Sequence, residues 1–363
     1  MTTKSFFAAA LCCMGLSFAT EASANSWRVN YDSRANADFL DLNAAMADER
    51  VADGDTLYMD KGCTISTTQT ISKAVTIIGP GYFIGENNAD EAYFSNYIIL
   101  TAAGAKVTGI HASGIELQND NVTIERCRVT GIIYANTNDH TTNNISIRQC
   151  HITNNTGNCI TGNNSIGWEI ANNIIYHDQG SAGYDTYDAI NTLSNAVIDH
   201  NAIYCYNAGS GNRDYYSYVF SDIASSTITN NIVYNYSGYY LSRYDCFRNN
   251  NYLSSQNIIS HNVLSGNEVT DNGYPNNKTN MQNSVVFDNW PGFNSDNVIL
   301  SESGIAKGYA EDGSDCGPFA GAYPYVLCGY PLYVPRFESI KIPSQPDENG
   351  KLNIQMVIKN QNK

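Results

Sequence analysis

Two aspartates in the middle of the chain are spaced for acid–base chemistry on carbohydrates. Asp188 and Asp245 each lie two residues before an apolar residue, Ile190 or Phe247, at the same point of a repeated pattern, and Phe220 holds that point between them. Repeats stacked as successive strands about 4.8 Å apart place these aspartates about 10 Å apart at Cα. Such a distance is compatible with the carboxyl pair of an inverting glycosidase, about 6.5–9.5 Å. Asp188 and Asp245 are therefore candidate catalytic residues; solvated loop acids on an acidic protein are the alternative interpretation.

Four further aspartates close in sequence keep a Ca²⁺ site open as an interpretation, because carboxylate oxygens are preferred ligands of this ion. They are Asp178, Asp185, Asp214 and Asp222. The chain has no EF-hand-like or nonapeptide calcium spacing, and it has no Cys-x-x-Cys pair and only 6 histidines, which disfavours zinc. No metal ligand is therefore assigned.

The strongest local signal is aromatic. Three consecutive segments, residues 176–189, 204–219 and 234–246, are long and rich in tyrosine. Tyrosine rings stack on the apolar faces of sugars while their hydroxyls hydrogen-bond the rims. The segments predict a wall that binds a glycan; tyrosines that pack on one another to order long loops are the alternative. The candidate substrate-binding residues are Tyr187, Tyr206, Arg213, Tyr215, Tyr216, Tyr239 and Tyr240.

Composition limits both the partners and the scaffold. The 363 residues include 35 Asp and Glu against 20 Lys and Arg, a net charge of −15, which disfavours binding to nucleic-acid phosphates. Only 15% of residues are charged, so few solvated helices are expected and strands should dominate.

The first 24 residues have the pattern of an export signal: Lys4, the apolar run Phe6–Ala19, and Ala22-Ser23-Ala24 as a cleavage site. No later stretch is apolar enough to predict a transmembrane segment. The mature chain is therefore expected in the periplasm, on the cell surface or outside the cell. There Cys316 and Cys328, which flank a short Gly/Pro-rich loop, could form a disulfide.

An internal repeat decides the fold prediction. An eight-residue pattern alternates apolar and polar residues, as in a strand with one buried face, then turns and resumes. Its copies begin at Val122, Ile145, Trp168, Ala196, Ser226 and Asn257, and their sixth positions are spaced by 23, 23, 28, 30 and 31 residues. The sixth residue is Asn in four copies, where it should adopt the left-handed conformation of a sharp bend, and Cys127 or Cys150 in two, predicted to be stacked buried thiols.

Units this short bury their apolar face only by stacking, which predicts an all-β, single-stranded right-handed parallel β-helix of about nine coils. A β-sandwich does not require one motif at a nearly fixed phase, and propeller blades are longer. The inward column should contain Ile124, Ile147, Ile170, Ile198, Ile228 and Ile259. The predicted parts are a signal peptide (1–24), an N-terminal cap (25–70), coils (71–300) and a C-terminal capping segment with a β tail (301–363).

The N-terminal part resembles the cap of secreted right-handed parallel β-helix proteins of the pectate-lyase-like superfamily. The resemblance rests on a short helix over Ala37–Arg50 with Asn36 as N-cap, the turn Gly54-Asp55-Thr56 before a strand, and the strand Val75–Gly79. The dense Gly/Pro/Tyr stretch Gly308–Pro335 resembles the closing segment of β-helix proteins secreted by Bacteroidetes of the gut type. The resemblance implies the fold but no particular activity, because this fold hosts lyases, hydrolases and binders.

Two motifs are similar to those of pectate lyases. Residues Val197–His200 resemble a W-I-D-H strand, and Arg243 with Arg248 resembles an R-x-P-x-x-R pattern in which an arginine abstracts a proton beside a uronate carboxylate. That resemblance makes Arg243 and Arg248 candidate catalytic residues. Val197 replaces the Trp and Asp245 the Pro, so ordinary residues at the bend are the alternative. The Asp-Asp and Gly-His-Gly signatures of polygalacturonases are absent from the sequence.

These observations predict an exported protein that binds a polysaccharide through its tyrosine-rich loops. A polysaccharide lyase or glycoside hydrolase acting on a uronate-type glycan is one alternative, and an adhesin or structural cell-envelope protein is another. The sequence indicates no definite cofactor and keeps only Ca²⁺ open.

Overall fold

The computed structural model describes residues 24–136, 141–178, 187–207, 218–237, 246–247, 256–266, 273–279, 286–289, 295–296, 298–330, 336–343, 345 and 349–359. Residues 1–23 of the predicted export signal lie outside this set.

The described chain winds through three columns of strands. The first column is a ten-stranded parallel sheet. Its strands are β1 (Ser26–Val29), β2 (Thr56–Met59), β5 (Thr76–Ile78), β7 (Lys106–Thr108), β9 (Thr123–Glu125), β12 (Ser146–Arg148), β15 (Glu169–Ala171), β18 (Val197–Asp199), β21 (Thr227–Thr229) and β23 (Ile258–Ser260).

The second and third columns belong to one fourteen-stranded sheet, because two long strands, β6 (Tyr93–Leu100) and β8 (His111–Leu117), run through both. The other strands of the second column are β3 (Thr64–Ile65), β10 (Arg128–Val129), β13 (His151–Asn154), β16 (Ile174–Asp178), β19 (Ala202–Asn207), β22 (Ile232–Ser237) and β24 (Val263–Leu264). Those of the third are β4 (Gln69–Ile71), β11 (Ile133–Ala135), β14 (Ile160–Ile166), β17 (Ile190–Ser194) and β20 (Phe220–Ala224).

Each strand of the first column pairs in parallel with its equivalent one turn further along the chain, for example Ile170 with Ile198 and Ile198 with Ile228. From β2 to β24, the described strands form nine successive coils. The six isoleucines of the predicted inward column are at most 2% exposed. The predicted parallel β-helix is confirmed.

The repeat motif bends one residue earlier than the sequence suggested. The left-handed residue is the fifth of the motif in all six copies: Arg126, Gln149, Asn172, His200, Asn230 and His261, with φ between 51° and 59°. The prediction that the sixth-position Asn bends the chain was wrong. The sixth-position Asn is fully buried, and its side-chain amide forms hydrogen bonds inside the solenoid. The left-handed fifth residue turns this Asn side chain inward.

The N-terminal helix is shorter than predicted. It spans α1 (Leu42–Ala47), and its N-cap is Asp41, whose side chain accepts a hydrogen bond from the Ala44 N–H at 2.7 Å. Asn36 instead ends a 3₁₀ turn (Ser33–Ala35) in a left-handed conformation. The helix starts late because Phe39 pairs with Val29 as a parallel bridge, which commits its backbone to an extended form. Further 3₁₀ turns span Glu86–Asn88 and Leu327–Gly329.

Residues 298–330, here called the closing segment, run back along the outside of the coils. It passes His261, whose ring lies 5.8 Å from that of Tyr309, and reaches Tyr82, whose N–H donates to the Cys328 carbonyl at 2.8 Å. On the way it contacts fifth-position side chains: Glu311 N–H donates to Asn230 Oδ1 at 2.9 Å, and Gln149 Nε2 donates to the Pro324 carbonyl at 2.6 Å. The bends of several coils are thereby tied to the C-terminal part of the chain.

None of the eight described cysteines is joined to another by a disulfide, so the bond suggested for Cys316 and Cys328 is not formed. Cys127 and Cys150 are fully buried at the sixth motif position, as predicted. The remaining strands are two antiparallel pairs, β25 (Phe287–Asn289) with β26 (Ile299–Leu300) and β27 (Arg336–Lys341) with β28 (Gln355–Lys359).

Strand β28 lies within the predicted C-terminal β tail. The side chains of Leu352, Ile354 and Met356 are 45–56% exposed. Among the described residues, no helix has both the length and the apolar character needed to cross a membrane.

Candidate functional site

The outward side chains of the second column change from polar to apolar along the solenoid. At the seventh motif position, strand register aligns Thr64, Tyr93, His111, Arg128, His151, Ile174, Ala202, Ile232 and Val263. The last four are apolar and pack in a cluster with Val298, Leu300 and Cys316 from the closing segment. The earlier, polar members are therefore the part of this column available for chemistry.

Three charged or titratable side chains meet on this polar half. Glu91 precedes β6, His111 begins β8 and Arg128 begins β10, and the last two are direct register partners on neighbouring strands. Glu91 Oε2 lies 2.6 Å from His111 Nδ1, and Glu91 Oε1 lies 3.4 Å from Arg128 Nη1. All three residues are at most 8% exposed. Such a buried cluster requires its charges to be compensated internally.

The segment between β5 and β6 folds over this cluster. The Phe83 N–H donates to Glu91 Oε1 at 2.6 Å, and the Phe83 ring lies 4.3 Å from the Arg128 guanidinium carbon. The Tyr93 ring packs on that of His111 with centroids 4.3 Å apart. The cluster lines a cavity of about 360 Å³ together with Thr64, Asn87, Asn88 and Ala89.

Burial and pairing set the charge states. Desolvation raises the pKa of Glu91, but hydrogen bonds from His111 and Phe83 and the charges of His111 and Arg128 outweigh it, so the pKa lies below its ordinary value. Desolvation lowers the pKa of His111, and the hydrogen bond with Glu91 offsets this only in part. Near pH 7, Glu91 is an anion and His111 a neutral base.

A column of tyrosines lies on the same outward side further along the solenoid. Tyr176, Tyr204 and Tyr234 are register partners on β16, β19 and β22, two residues after the seventh position. Their ring centroids are 5.2 Å and 5.1 Å apart, and the first two rings are parallel to within 2°. All three side chains are half-buried. Desolvation raises the pKa of Tyr176 to about 12, so its hydroxyl is neutral and can donate.

A second row follows two residues later on the same strands. Asp178 pairs with Tyr206, and Tyr206 with Tyr236, again in register. Tyr206 is half-buried. Of the predicted substrate-binding residues, Tyr206 therefore lies beside the tyrosine column.

The predicted catalytic aspartate Asp188 is a linking residue between coils. It is 3% exposed, and it accepts hydrogen bonds from the Tyr218 N–H at 3.1 Å and from the Ser221 hydroxyl. Its own N–H donates to Asn158 Oδ1 at 2.8 Å. These contacts join three successive coils. The adjacent Tyr187 is half-buried.

The other candidate site residues lie outside the described residues, and no structural statement applies to them. They are Arg213, Tyr215, Tyr216, Tyr239, Tyr240, Arg243, Asp245 and Arg248.

The Asp199–His200 pair, which resembles a lyase strand, is engaged in packing. His200 Nδ1 lies 2.7 Å from Asp199 Oδ2, while Asp199 Oδ1 accepts from Thr229 Oγ1 and Asn230 Nδ2, each at 2.8 Å. His200 is 3% exposed and lies under Gly321 of the closing segment. These contacts favour the interpretation of ordinary residues at the bend.

Sequence reasoning missed Glu91, His111 and Arg128. The signal that could have found one of them is the repeat alignment itself: the seventh position is Arg128 and His151 in the first two copies, where the other copies have Ile, Ala, Ile and Val. No sequence pattern identifies Glu91 as a member of the cluster, because it lies in a segment outside the repeats.

No protein-family model matches this chain, and no curated protein is significantly similar to it.

Proposed function

We propose that this protein binds an extended polysaccharide along the outward side of the second strand column, where the tyrosine column lies. The observation that supports this most is the alignment of Tyr176, Tyr204 and Tyr234 at 5.2 Å and 5.1 Å. This repeat is close to the length of one pyranose residue in an extended glycan. Each coil can then offer one set of contacts to each sugar.

The arrangement of the rings supports a particular set of contacts. Because the rings of Tyr176 and Tyr204 are parallel and 5.2 Å apart, we expect no sugar to stack on the faces that they turn to each other. In the proposed complex the sugars contact ring edges and phenol hydroxyls along the column, since a phenol hydroxyl can both donate to and accept from a sugar hydroxyl. The candidate residues Tyr215, Tyr216, Tyr239 and Tyr240 belong to segments that directly follow β19 and β22 in the chain, so they are proposed to supply the stacking faces.

Charge favours a neutral glycan over a polyuronate. The chain carries a net charge of −15, and Asp178 lies at the end of the tyrosine-bearing strand β16. A polyanionic ligand would be repelled at low ionic strength unless cations screened it.

A glycan array tests the proposal, with the mature chain compared to the Tyr215→Ala/Tyr216→Ala/Tyr239→Ala variant. We expect wild-type signal on neutral glycans and at least a tenfold loss in the variant, at an unchanged melting temperature, because loop tips contribute little to the stacked core. If the variant unfolds, the three tyrosines are packing residues. If wild-type protein retains no glycan, the proposal is wrong.

A further inference from the structure

We propose that Thr130, His111 and Glu91 form a nucleophile–base relay that hydrolyses small O-acyl esters, with Arg128 stabilising the developing oxyanion. His111 Nε2 lies 3.3 Å from Thr130 Oγ1, and His111 Nδ1 lies 2.6 Å from Glu91 Oε2. A hydroxyl, an imidazole and a carboxylate joined in this order by the two ring nitrogens are the arrangement that activates a hydroxyl nucleophile. This assignment does not depend on glycan binding.

The hydrogen bonds fix which nitrogen carries the proton. An ionised Glu91 can only accept, so His111 Nδ1 must donate to it. A neutral imidazole then has its lone pair on Nε2, and this nitrogen must accept the Thr130 O–H. The threonine hydroxyl is therefore oriented toward a base, as a nucleophile requires.

The scaffold holds the base rigidly while leaving the hydroxyl accessible. His111 is 8% exposed under the Tyr93 ring, and the Tyr93 hydroxyl is itself 3.1 Å from Ser113 Oγ. Thr130 is only partly buried, directly after strand β10. A substrate can thus reach Thr130 without any movement of the base.

Arg128 supplies the charge that an acyl-transfer transition state needs. The backbone N–H of Thr130 already donates to the Ala112 carbonyl at 2.9 Å, so it cannot stabilise an oxyanion. Arg128 lines the cavity, and its Nε–H is buried and has no hydrogen-bond partner among the described residues. A positively charged donor is suited to a developing negative oxygen.

The reaction balances with water as the only co-reactant. Thr130 Oγ1 bonds to the acyl carbon as its proton passes to His111 Nε2, and the collapse of the tetrahedral intermediate breaks the ester C–O bond. The leaving alcohol takes the proton from His111. Water then attacks the threonyl ester, gives a proton to His111, and releases the carboxylic acid as Thr130 recovers its proton. Glu91 positions His111 and offsets its transient charge.

The cavity selects the substrate class. The cavity of about 360 Å³ is lined by His111 and Arg128 with Asn87, Asn88 and Tyr93. It has room for a short acyl group of an ester held at Thr130, which contacts His111, rather than for a long lipid chain. One anion and one cation in the cluster leave it without net charge, which fits an uncharged ester.

Hydrolysis of 4-nitrophenyl acetate by the mature chain tests the relay. We expect Thr130→Val and His111→Asn to lose at least a hundredfold in kcat/KM, and Thr130→Ser to restore turnover. Thr123→Ala, a partly buried threonine of the same coil on the first column, is the matched control and should leave the rate unchanged. Glu91→Gln should lower kcat at least tenfold with little change in KM, which a purely structural carboxylate would not do in a variant that stays folded.

Mass spectrometry adds a readout that locates the nucleophile directly. After rapid acid quench, a single acetyl group should be found on Thr130 in the wild type, and on the introduced serine in the Thr130→Ser variant. The proposal is overturned if wild type and Thr130→Val hydrolyse the ester equally, or if neither exceeds the buffer rate. It is also overturned if the acetyl group is found on another residue.

Discussion

Asn231 Oδ1 accepts two hydrogen bonds from Asn201, one coil earlier: from its backbone N–H at 2.8 Å and from its side-chain Nδ2 at 2.9 Å. The same pair of bonds joins Asn173 to Asn201, Asn231 to Asn262 and Asn262 to Asn277. This buried ladder satisfies backbone groups that the bend removes from the sheets, and it locks each coil in register with the next.

The two cysteines in the ladder position imitate the asparagine donor. Asn201 Nδ2 also donates to the carbonyls of Ile170 and Asp199, and Cys150 Sγ donates to the equivalent carbonyls of Ile124 and Arg148 at 3.6 Å and 3.2 Å. We therefore expect Asn231→Ala to lower the free energy of unfolding by about 3 kcal/mol, since it leaves buried donors and acceptors unpaired. Asn231→Cys should lose less, because its thiol keeps the donor although it does not replace the two bonds that Asn231 Oδ1 accepts. Urea unfolding measures both; equal losses would contradict a donor role for the thiols.

The inward isoleucine column makes a sharp prediction about charge. Ile198 is fully buried, whereas its neighbour Val197 is 44% exposed on the outward side of the same strand. Ile198→Lys should unfold or aggregate the protein, a loss above about 4 kcal/mol, because the buried ammonium has no partner. Val197→Lys should change stability by less than about 0.5 kcal/mol. Circular dichroism and light scattering compare the two, and a soluble, folded Ile198→Lys variant would contradict the packing.

The contact between the closing segment and the bend at His200 can be tested by replacing glycines of the segment. A Cβ on Gly321 would lie 2.7 Å from His200 Nδ1, whereas a Cβ on Gly313 would meet no atom within 4 Å. Both glycines have similar left-handed φ values, 76° and 82°, so Gly313→Ala controls for backbone strain. We expect Gly321→Ala to cost about 2 kcal/mol more than Gly313→Ala by thermal unfolding. Equal losses would mean that the segment does not press on His200.

Acid should destabilise the fold through a buried histidine. Desolvation lowers the pKa of His177 to about 4, although its Nε2 lies 3.1 Å from the Gly157 carbonyl. In the unfolded chain, His177 has the ordinary histidine pKa of about 6.5, so above this pH the full stability is present. Below it the unfolded chain binds the proton more readily than the folded chain, and the free energy of unfolding falls by about 3 kcal/mol as the pH approaches 4. Urea midpoints at pH 7 and about pH 4.5, between these two pKa values, should therefore differ less in His177→Gln than in the wild type. An identical pH dependence would contradict this assignment.

The parts of the fold that could be predicted are those set by local alternation. The isoleucines at the third motif position repeat with the strand period, so burial of Ile124 or Ile198 follows from the sequence. The bend was misplaced because the sixth position is Asn in four copies, whereas the left-handed fifth position also holds Arg126 and Gln149, which do not favour that backbone. The inward hydrogen bonds of Asn201 and Asn231 follow only from the structure. The Glu91–His111 contact could not be predicted, because Glu91 belongs to a segment outside the repeats.

Calorimetric titration of a neutral extended oligosaccharide into Tyr204 variants tests the central claim, glycan binding along the tyrosine column, most directly. Tyr204→Ala interrupts the column between its two ring neighbours, Tyr176 and Tyr234, and Tyr204→Phe removes only the hydroxyl. Tyr58→Ala removes a 36%-exposed tyrosine from the first strand column as a control. We expect the dissociation constant to rise at least tenfold, about 1.4 kcal/mol, in Tyr204→Ala, less in Tyr204→Phe, and not at all in Tyr58→Ala. A folded Tyr204→Ala variant that binds as tightly as the wild type would contradict the claim.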